Sequence, residues 1–266
     1  KINKFFSAKN VKLKTTKKFK LITSMAMFYD LKKPNFFIKD IKNLLLDDGI
    51  WHFEQSYLPL MIDTLSFDTI CHEHLEYYSL NIVNKMLNNN GMKILDVKFN
   101  KINGGSFEIY SCKANKTLFK PNLKKINSIL NKEKNNGYEG IQVYKKFSKK
   151  IETHKKKLMS LLYSLKKNKK KIYGYGASTK GNVLLQYYKI DSTILDAIFE
   201  VNENKFGKYT PGTRIPIIDE KSLNKIQPDY LLVLPWHFRN FFINNLKKKL
   251  PSNTKYIFPL PKISIV

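Results

Sequence analysis

Arginine is nearly missing from this chain. Arg214 and Arg239 are the two present in 266 residues, and lysine supplies the rest of the 48 basic side chains against 21 acidic ones. The net charge of +27 invites a nucleic-acid reading, but phosphate and base-edge recognition favours the planar, forked guanidinium that the chain lacks. Abundant Asn, Ile, Phe and Tyr accompany the lysine, so the basicity reads first as composition spread over solvated faces. Cysteine is scarce too. Cys71 and Cys112 cannot build a disulfide framework or a four-cysteine metal site, which suits a reducing cytoplasm. Apolar runs such as Tyr230 to Phe238 fall well short of the ~18 residues that span a bilayer. The basic stretch Lys1 to Lys20 has no apolar segment behind it to make a signal peptide, and a first residue of Lys points to a piece of a longer protein. What is present is apolar material, 42% of residues with 13% aromatic, enough for one large domain or two smaller ones.

The opening reads as strand, helix, turn, strand. Phe19 to Ser24 is a short buried strand, and Pro34 to Leu46 places Phe36, Phe37, Ile41, Leu44 and Leu45 at helical spacing. Asp47, Asp48 and Gly49 stop that helix as a turn, and Ile50 to Phe53 is the next strand. A helix over Leu80 to Asn90 ends at Gly91, and strands at Lys93 to Phe99 and Ser106 to Cys112 flank Asn103-Gly104-Gly105 as an antiparallel pair. From Pro121 to Lys170 the chain is lysine-rich, with Ile141, Tyr144, Ile151, Leu158, Leu161 and Leu165 making one apolar stripe, the pattern of a long connecting helix. A second α/β unit then begins: a strand at Lys171 to Tyr175, a glycine turn from Gly174 to Asn182, a helix from Val183, and strands at Ile194 to Phe199 and Tyr230 to Leu234. Such alternation argues for a parallel sheet in a small Rossmann-like domain. The expected domains are 1-120, the latter half of an α/β domain; 121-170, a helical linker; and 171-266.

Two clusters could carry chemistry. His72-Glu73-His74 packs two of the five histidines into three positions, an arrangement for acid/base work in which a carboxylate orients or polarises an imidazole. Equally compatible is a buried, hydrogen-bonded pair at a strand-to-helix junction; metal ligation fits less well, because the spacing is not that of H-E-x-x-H and no third ligand is evident. The second cluster, Gly174 to Asn182, lies where strand passes into helix, the place for a phosphate. Its spacing matches neither G-x-G-x-x-G nor a P-loop. Glu200 falls near the position of a ribose-binding acid, which keeps a nicotinamide-dependent oxidoreductase open, and close packing alone is a third account of the glycines. Lys208 to Thr213 and Asn103 to Ser106 are turns, each weak by itself.

Taken together, Phe67-Asp68-Thr69-Ile70-Cys71-His72-Glu73-His74-Leu75-Glu76-Tyr77-Tyr78, Asn103-Gly104-Gly105-Ser106-Phe107, Tyr175 to Asn182, Lys208 to Thr213 and Pro228-Asp229-Tyr230 resemble the sugar C-methyltransferases. These are S-adenosylmethionine-dependent enzymes acting on nucleotide-linked keto-deoxysugars. The resemblance runs over nearly the whole chain. It implies the C-terminal half of a class I methyltransferase domain, a helical linker and a Rossmann-like C-terminal domain that helps hold the nucleotide-sugar. It implies His74 as the base, with Glu73 and His72 beside it as catalytic residues. Gly104, Gly105, Ser106, Gly176, Ala177, Ser178, Lys180, Gly181, Asn182 and Tyr209 fall to substrate binding, the turn at Gly176 being a pyrophosphate cradle. Thr23, Ser24 and Met25 fall to the cofactor, since Phe19 to Ser24 matches the fourth strand of that fold. The family's zinc domain and glycine-rich cofactor loop have no match here, so the expectation is a piece that is inactive or nearly so alone, holding no metal itself. Cys71 stands where many relatives carry tyrosine, and Glu108 where they usually carry arginine. The expected protein is a cytoplasmic monomer with a nucleotide-sugar as partner and neither nucleic acid nor membrane; a lysine-rich nucleic-acid-binding protein is the remaining alternative.

Overall fold

A computed structural model describes residues 1–115, 118–246 and 253–266. The chain divides into two compact units: residues 1–61 with 73–144, and residues 62–72 with 145–266.

Unit 1 opens with the short helix α1 (Ala8–Lys12), then β1 (Phe19–Met25), α2 (Pro34–Leu44) and β2 (Leu45–Ser56). Pro34 is tolerated at the start of α2 because the first helical amides have no intrahelical acceptor. The helix ends at Leu44, and Asp47, Asp48 and Gly49 do not form the expected turn. They lie inside β2, where the register on β1 jumps from Phe19 opposite Leu45 to Leu21 opposite Ile50. Gly49 suits that irregularity, since a Cβ there would stand 2.9 Å from the carbonyl oxygen of Phe19. The helix α3 (Leu58–Asp63) crosses the unit boundary, and α4 (Leu80–Asn89), β3 (Met92–Asn100) and β4 (Ser106–Lys113) follow. Ser79 caps α4 by accepting from the Ile82 amide, and Gly91 closes it at φ +68°. The sheet order is β1-β2-β4-β3, with β1 and β2 parallel and β4 antiparallel to both of its neighbours.

One face of this sheet carries the core. Trp51, Phe53, Phe107 and Ile109 bury against Phe28, Ile38 and Ile41 and against Leu80, Val83 and Leu87. Trp51 and Phe53 stack at 4.1 Å. The lysine-rich stretch is two helices, not one: α5 (Leu123–Asn135) packs on α4 and β3, and α6 (Ile141–Lys167) begins after Gly137, at φ +72°. The buried Glu133 of α5 accepts from the Tyr57 hydroxyl at 2.6 Å and from the Leu80 and Asn81 amides at 2.7 and 2.9 Å. A carboxylate at the amino end of α4 satisfies amides that the helix leaves open.

Unit 2 contains most of α6, then β5 (Ile172–Tyr175), α7 (Thr179–Tyr188), β6 (Ile198–Glu200), β7 (Ile217–Asp219), α8 (Leu223–Ile226), β8 (Tyr230–Val233), α9 (Arg239–Leu246), β9 (Lys255–Phe258) and β10 (Ser264–Ile265). The order is β10-β9-β8-β5-β6-β7, parallel throughout except for β10 at one edge. Ile172, Ile198, Phe199, Leu231, Leu232 and Ile257 fill its interior, and Leu158 and Leu162 of α6 are fully buried. The helix after β5 starts four residues earlier than the periodicity predicts. Ser178 is its N-cap, accepting from the Gly181 amide at 3.0 Å, so Lys180, Gly181 and Asn182 are helical and not part of a turn. From β5 the chain passes to β6 on one side, and β8 lies on the other, so the carboxyl end of β5 is the point where strand order reverses. Open α/β sheets bind ligands at such a point.

Candidate functional site

The H-E-H motif is shared between the units: His72 belongs to unit 2, Glu73 and His74 to unit 1. In unit 1 the chain turns after β1 through Phe28–Asp30, and the Tyr29 carbonyl accepts from the Leu75 and Glu76 amides at 3.0 and 3.1 Å. These bonds set the His74 ring 4.4 Å from the Tyr29 ring, just past the carboxyl end of β1. The Tyr77 hydroxyl donates to the His74 carbonyl at 3.2 Å and fixes the same backbone from the other side. Asp30 shares this neighbourhood. Burial pushes its carboxyl up, the His74 charge pulls it back down and Glu73 adds to the rise. An imidazole on well-held backbone, with carboxylates in its neighbourhood, is equipped to take a proton.

Thr23 and Met25, at the end of β1, are exposed. The Ser24 side chain is engaged on the other side of the strand, where its hydroxyl accepts from the Trp51 indole at 2.7 Å. Gly104 and Gly105 take φ of +91° and +132° in the hairpin before β4. A Cβ on Gly105 would come within 2.8 Å of the Leu60 Cβ. Ser106 is fully buried and donates to the Ile102 carbonyl at 3.1 Å. Glu108 accepts from Asn100 Nδ2 at 3.1 Å and from the Tyr110 hydroxyl at 3.3 Å, with His52 Nε2 at 3.4 Å. The Asn100 bond is the main cause holding the Glu108 carboxyl below its ordinary range. His52 stacks flat on Tyr110 at 4.3 Å.

In unit 2 a cavity of about 320 Å³ opens at the carboxyl end of the parallel sheet. Its polar lining includes His72, Ser178, Thr179, Asn182, Lys205 and Lys208, with Tyr209 and Thr210 also on its wall. Ala177, Ser178, Asn182 and Tyr209 from the sequence reading therefore meet in one place, and His72 joins them. The glycines do something else. A Cβ on Gly176 would lie 2.6 Å from Pro235, and one on Gly181 would lie 2.7 Å from the Leu234 Cβ. Several amides of the turn are also spent within the protein: Gly176 donates to the Phe199 carbonyl, Ala177 to Glu200 Oε2, Ser178 to the Gly176 carbonyl and Gly181 to Ser178 Oγ. Glu200 accepts in addition from the Val201 and Asn202 amides at 2.8 and 3.1 Å, with Lys205 Nζ at 3.4 Å. These bonds occupy the carboxylate that a ribose diol would need, which argues against the nicotinamide alternative.

Lys180 does not line the cavity. It is mostly enclosed, and burial pushes its ammonium down while Asp68 and Cys71 pull it back up. Lys205, and Lys208 at the head of the Lys208 to Thr213 turn, are cations that the sequence assigned to no site. Their nearness to Tyr209 was the available signal, but in a chain this rich in lysine it does not stand out. Among the described residues no group of three or more His, Cys, Asp or Glu is placed to hold a metal, and no helix is long and apolar enough to cross a membrane.

One unit has a parallel sheet with a polar cavity at its strand-order reversal, and the other has a mixed sheet with His74 at the carboxyl end of β1, which together define an α/β protein. The family model for the C-methyltransferase C-terminal domain matches residues 101–261, and the chain belongs to that family. It is similar to the C-methyltransferase NovU of Streptomyces niveus, 28% identical over 229 residues, which is 86% of this chain and 54% of that protein. The chain thus spans about half the length of that relative. Among solved structures, the magnesium protoporphyrin IX methyltransferase of Synechocystis PCC 6803 with bound SAH aligns over 38% of this chain and 47% of its own, at 11% identity and a TM-score of 0.29. The plantazolicin methyltransferase BamL, in complex with a triazolic desmethylPZN analog and SAH, aligns over 41% of this chain and 58% of its own, at 12% identity and a TM-score of 0.31.

Proposed function

We propose that this chain is part of an S-adenosylmethionine-dependent C-methyltransferase acting on a nucleotide-linked keto-deoxysugar. The observation that carries the reading is His74, held past the end of β1 by the paired bonds to the Tyr29 carbonyl, with its charge felt by the Asp30 carboxyl. His74 takes the proton from the carbon next to the sugar's ketone, and the carboxylates beside it stabilise the imidazolium that forms. The resulting enolate carries the electron pair that makes the new carbon-carbon bond. S-adenosylmethionine, when bound, supplies an electrophilic methyl group. Exposed Thr23 and Met25 offer it a hydroxyl and an apolar contact, whereas Ser24 is committed to Trp51. Glu73 orients the base or meets a sugar hydroxyl.

The cavity of unit 2 takes the nucleotide diphosphate. Lys205, Lys208, His72, Thr179 and Asn182 supply the polar contacts there, and the glycines keep the helix close to its neighbours. The protein works in the cytoplasm, as a monomer, without nucleic acid or membrane. Family membership and the similarity to NovU support methyl transfer. The test is transfer from S-adenosylmethionine to a keto-sugar nucleotide, in protein expressed from the complete gene, with His74→Ala against wild type. A fall of roughly 10²- to 10⁴-fold in turnover is expected for loss of a general base. Unchanged turnover removes His74 from that role.

A further inference from the structure

Glu200 is the last residue of β6, and its side chain is 9% exposed although no step of the proposed chemistry uses it. Its bonds join two walls of the unit 2 cavity. On one side, Oε2 accepts from the Ala177 amide at 2.9 Å, in the turn before α7 that lines the cavity. On the other, Oε1 accepts from the Val201 and Asn202 amides at 2.8 and 3.1 Å, where the chain leaves β6 for β7. Asn202 then caps the turn Glu203–Lys205, accepting from the Asn204 amide at 3.1 Å. The far end of this loop is held by the Lys208 carbonyl, which accepts from the Ile217 amide at 2.8 Å. Both lysines of the cavity wall, Lys205 and Lys208, are carried by it. Lys205 closes the circuit: its Nζ donates to the Ala177 carbonyl at 2.8 Å and stands 3.4 Å from Glu200 Oε2.

We propose that Glu200 is the positioning residue of the unit 2 cavity, holding the Lys205 ammonium against the Ala177 carbonyl so that its remaining N–H meets a diphosphate oxygen. This rests on the reading of that cavity as a nucleotide diphosphate site. An ammonium has three donors and no acceptor, and the bonds to Ala177 and Glu200 leave one N–H for a ligand. A lysine that swings in solvent loses rotamer freedom when it grips an anion, and one already held loses less. Glu200 holds it without cancelling its charge. The carboxylate takes three amides at 2.8 to 3.1 Å and the lysine only at 3.4 Å, so backbone meets most of its charge. Burial pushes the carboxyl up, but the Asn202, Val201 and Ala177 amides and the Lys205 charge hold it below its ordinary range. The place where a dinucleotide site keeps its ribose acid serves here to anchor a cation.

The test is a double-mutant cycle in the full chain, by calorimetric titration with UDP: wild type, Glu200→Gln, Lys205→Gln and the double variant. Glu200→Gln keeps an acceptor for the loop amides and removes the charge. Each single variant is expected to weaken binding roughly 10-fold or more, the range for a hydrogen bond to a charged group. The double variant should bind within about 2-fold of Lys205→Gln alone, because Glu200 has nothing to hold once the ammonium is gone. Losses that multiply, or a Glu200→Gln that binds as wild type does, overturn the proposal, since a Glu200 that only shapes the backbone acts alike in both backgrounds. If circular dichroism shows Glu200→Gln unfolded, Glu200→Asp replaces it in the cycle, with the charge kept but drawn back by one methylene. Its loss must likewise vanish beside Lys205→Gln, and no loss or the same loss in both backgrounds overturns the proposal.

The second measurement needs no ligand: acetylation of Lys205 by acetic anhydride, read by mass spectrometry. Glu200→Gln is expected to speed it several-fold as the amine is released, and equal rates overturn the proposal. Uridine against UDP then isolates the phosphates: Lys205→Gln should weaken UDP and leave uridine unchanged, and equal losses for both overturn it. If wild type fails to bind UDP while labelling is faster in Glu200→Gln, the diphosphate reading of the cavity falls and the hold of Glu200 on Lys205 stands.

Discussion

The two units hold their motif residues by opposite means. In unit 1, Glu73, His74 and the hairpin glycines sit on irregular chain, and hydrogen bonds from distant elements fix them. In unit 2, the motif lies at a capped helix start pressed so tightly on its neighbours that two glycines have no room for a Cβ. The difference separates two meanings of a glycine-rich motif. Gly176 and Gly181 are there for close approach to Pro235 and Leu234, and the groups that can meet an anion are side chains delivered by other segments.

Glu133 is where that contrast is most easily broken. It accepts from one hydroxyl and two amides, tying α5 to Tyr57 at the end of β2 and to the start of α4, directly after the H-E-H segment. Glu133→Ala leaves all three donors unmet, and at ~1.5–3 kcal/mol for a bond to a charged group the loss should be roughly 3 kcal/mol or more. Hydrogen exchange should show faster opening of peptides from α4 and the Tyr57 region, with unit 2 peptides unchanged. Glu133→Gln should recover part of it, since one oxygen still accepts. A change below ~0.5 kcal/mol would mean that packing, not this carboxylate, holds the motif segment.

A smaller effect is expected from filling the tight contact in unit 2. Gly181→Ala has an ordinary helical backbone to sit on, but its Cβ must displace Leu234, itself 1% exposed, at an overpacking cost of about 1–3 kcal/mol. Gly137→Ala is the control in unit 1. Nothing lies within 4 Å of its Cβ, and the cost there comes from φ +72°, about 1 kcal/mol. Urea unfolding of the two variants ranks them. If Gly181→Ala proves neutral, the glycine's meaning returns from packing to ligand approach.

Much of this architecture was written in the sequence where a local rule was strong. The spans of β1, β3, β4, α4 and β5 agree with the sequence expectation to within about a residue at each end, α4 by way of its closing Gly91. Legibility stopped where distant residues decide. Asp47-Asp48-Gly49 has turn composition, yet it is an unpaired irregularity inside β2, between Leu45 and Ile50, which do pair with β1. The early start of α7 was signalled by Ser178, but Gly181 in its first turn lowers the helix propensity there. Strands β7, β9 and β10 are two to four residues long, too short for periodicity to register. Glu133 looked like one charge among many on a lysine-rich face, and only the fold shows it buried. For the site, the motifs located the residues but not their partners. That His72 and His74 fall in different units could not be seen from two letters so close together.

Acid should sharpen the same contrast by weakening unit 2. His237 is half-buried, and desolvation first, then the Lys180 charge, pushes it down to about 4. His154 is also pushed down by burial, between the Tyr188 hydroxyl and the Pro259 carbonyl, each at 2.7 Å. A histidine kept neutral by the fold binds its proton more readily once unfolded, so the unfolded state takes up more protons between about pH 4 and 6.5. Stability from this source is complete above pH 6.5 and is lost as pH falls toward 4. The slope is at most ~1.4 kcal/mol per pH unit for each such group. The raised carboxyl of Asp68 works the other way over part of the range, so the informative quantity is the difference between wild type and His237→Gln. Glutamine has no proton to gain, and its stability against pH should be flatter across that window while the two proteins run parallel above pH 7. Equal slopes in wild type and variant would show that His237 titrates as freely in the folded protein as in the unfolded chain, and desolvation of its ring by the fold would have to be given up.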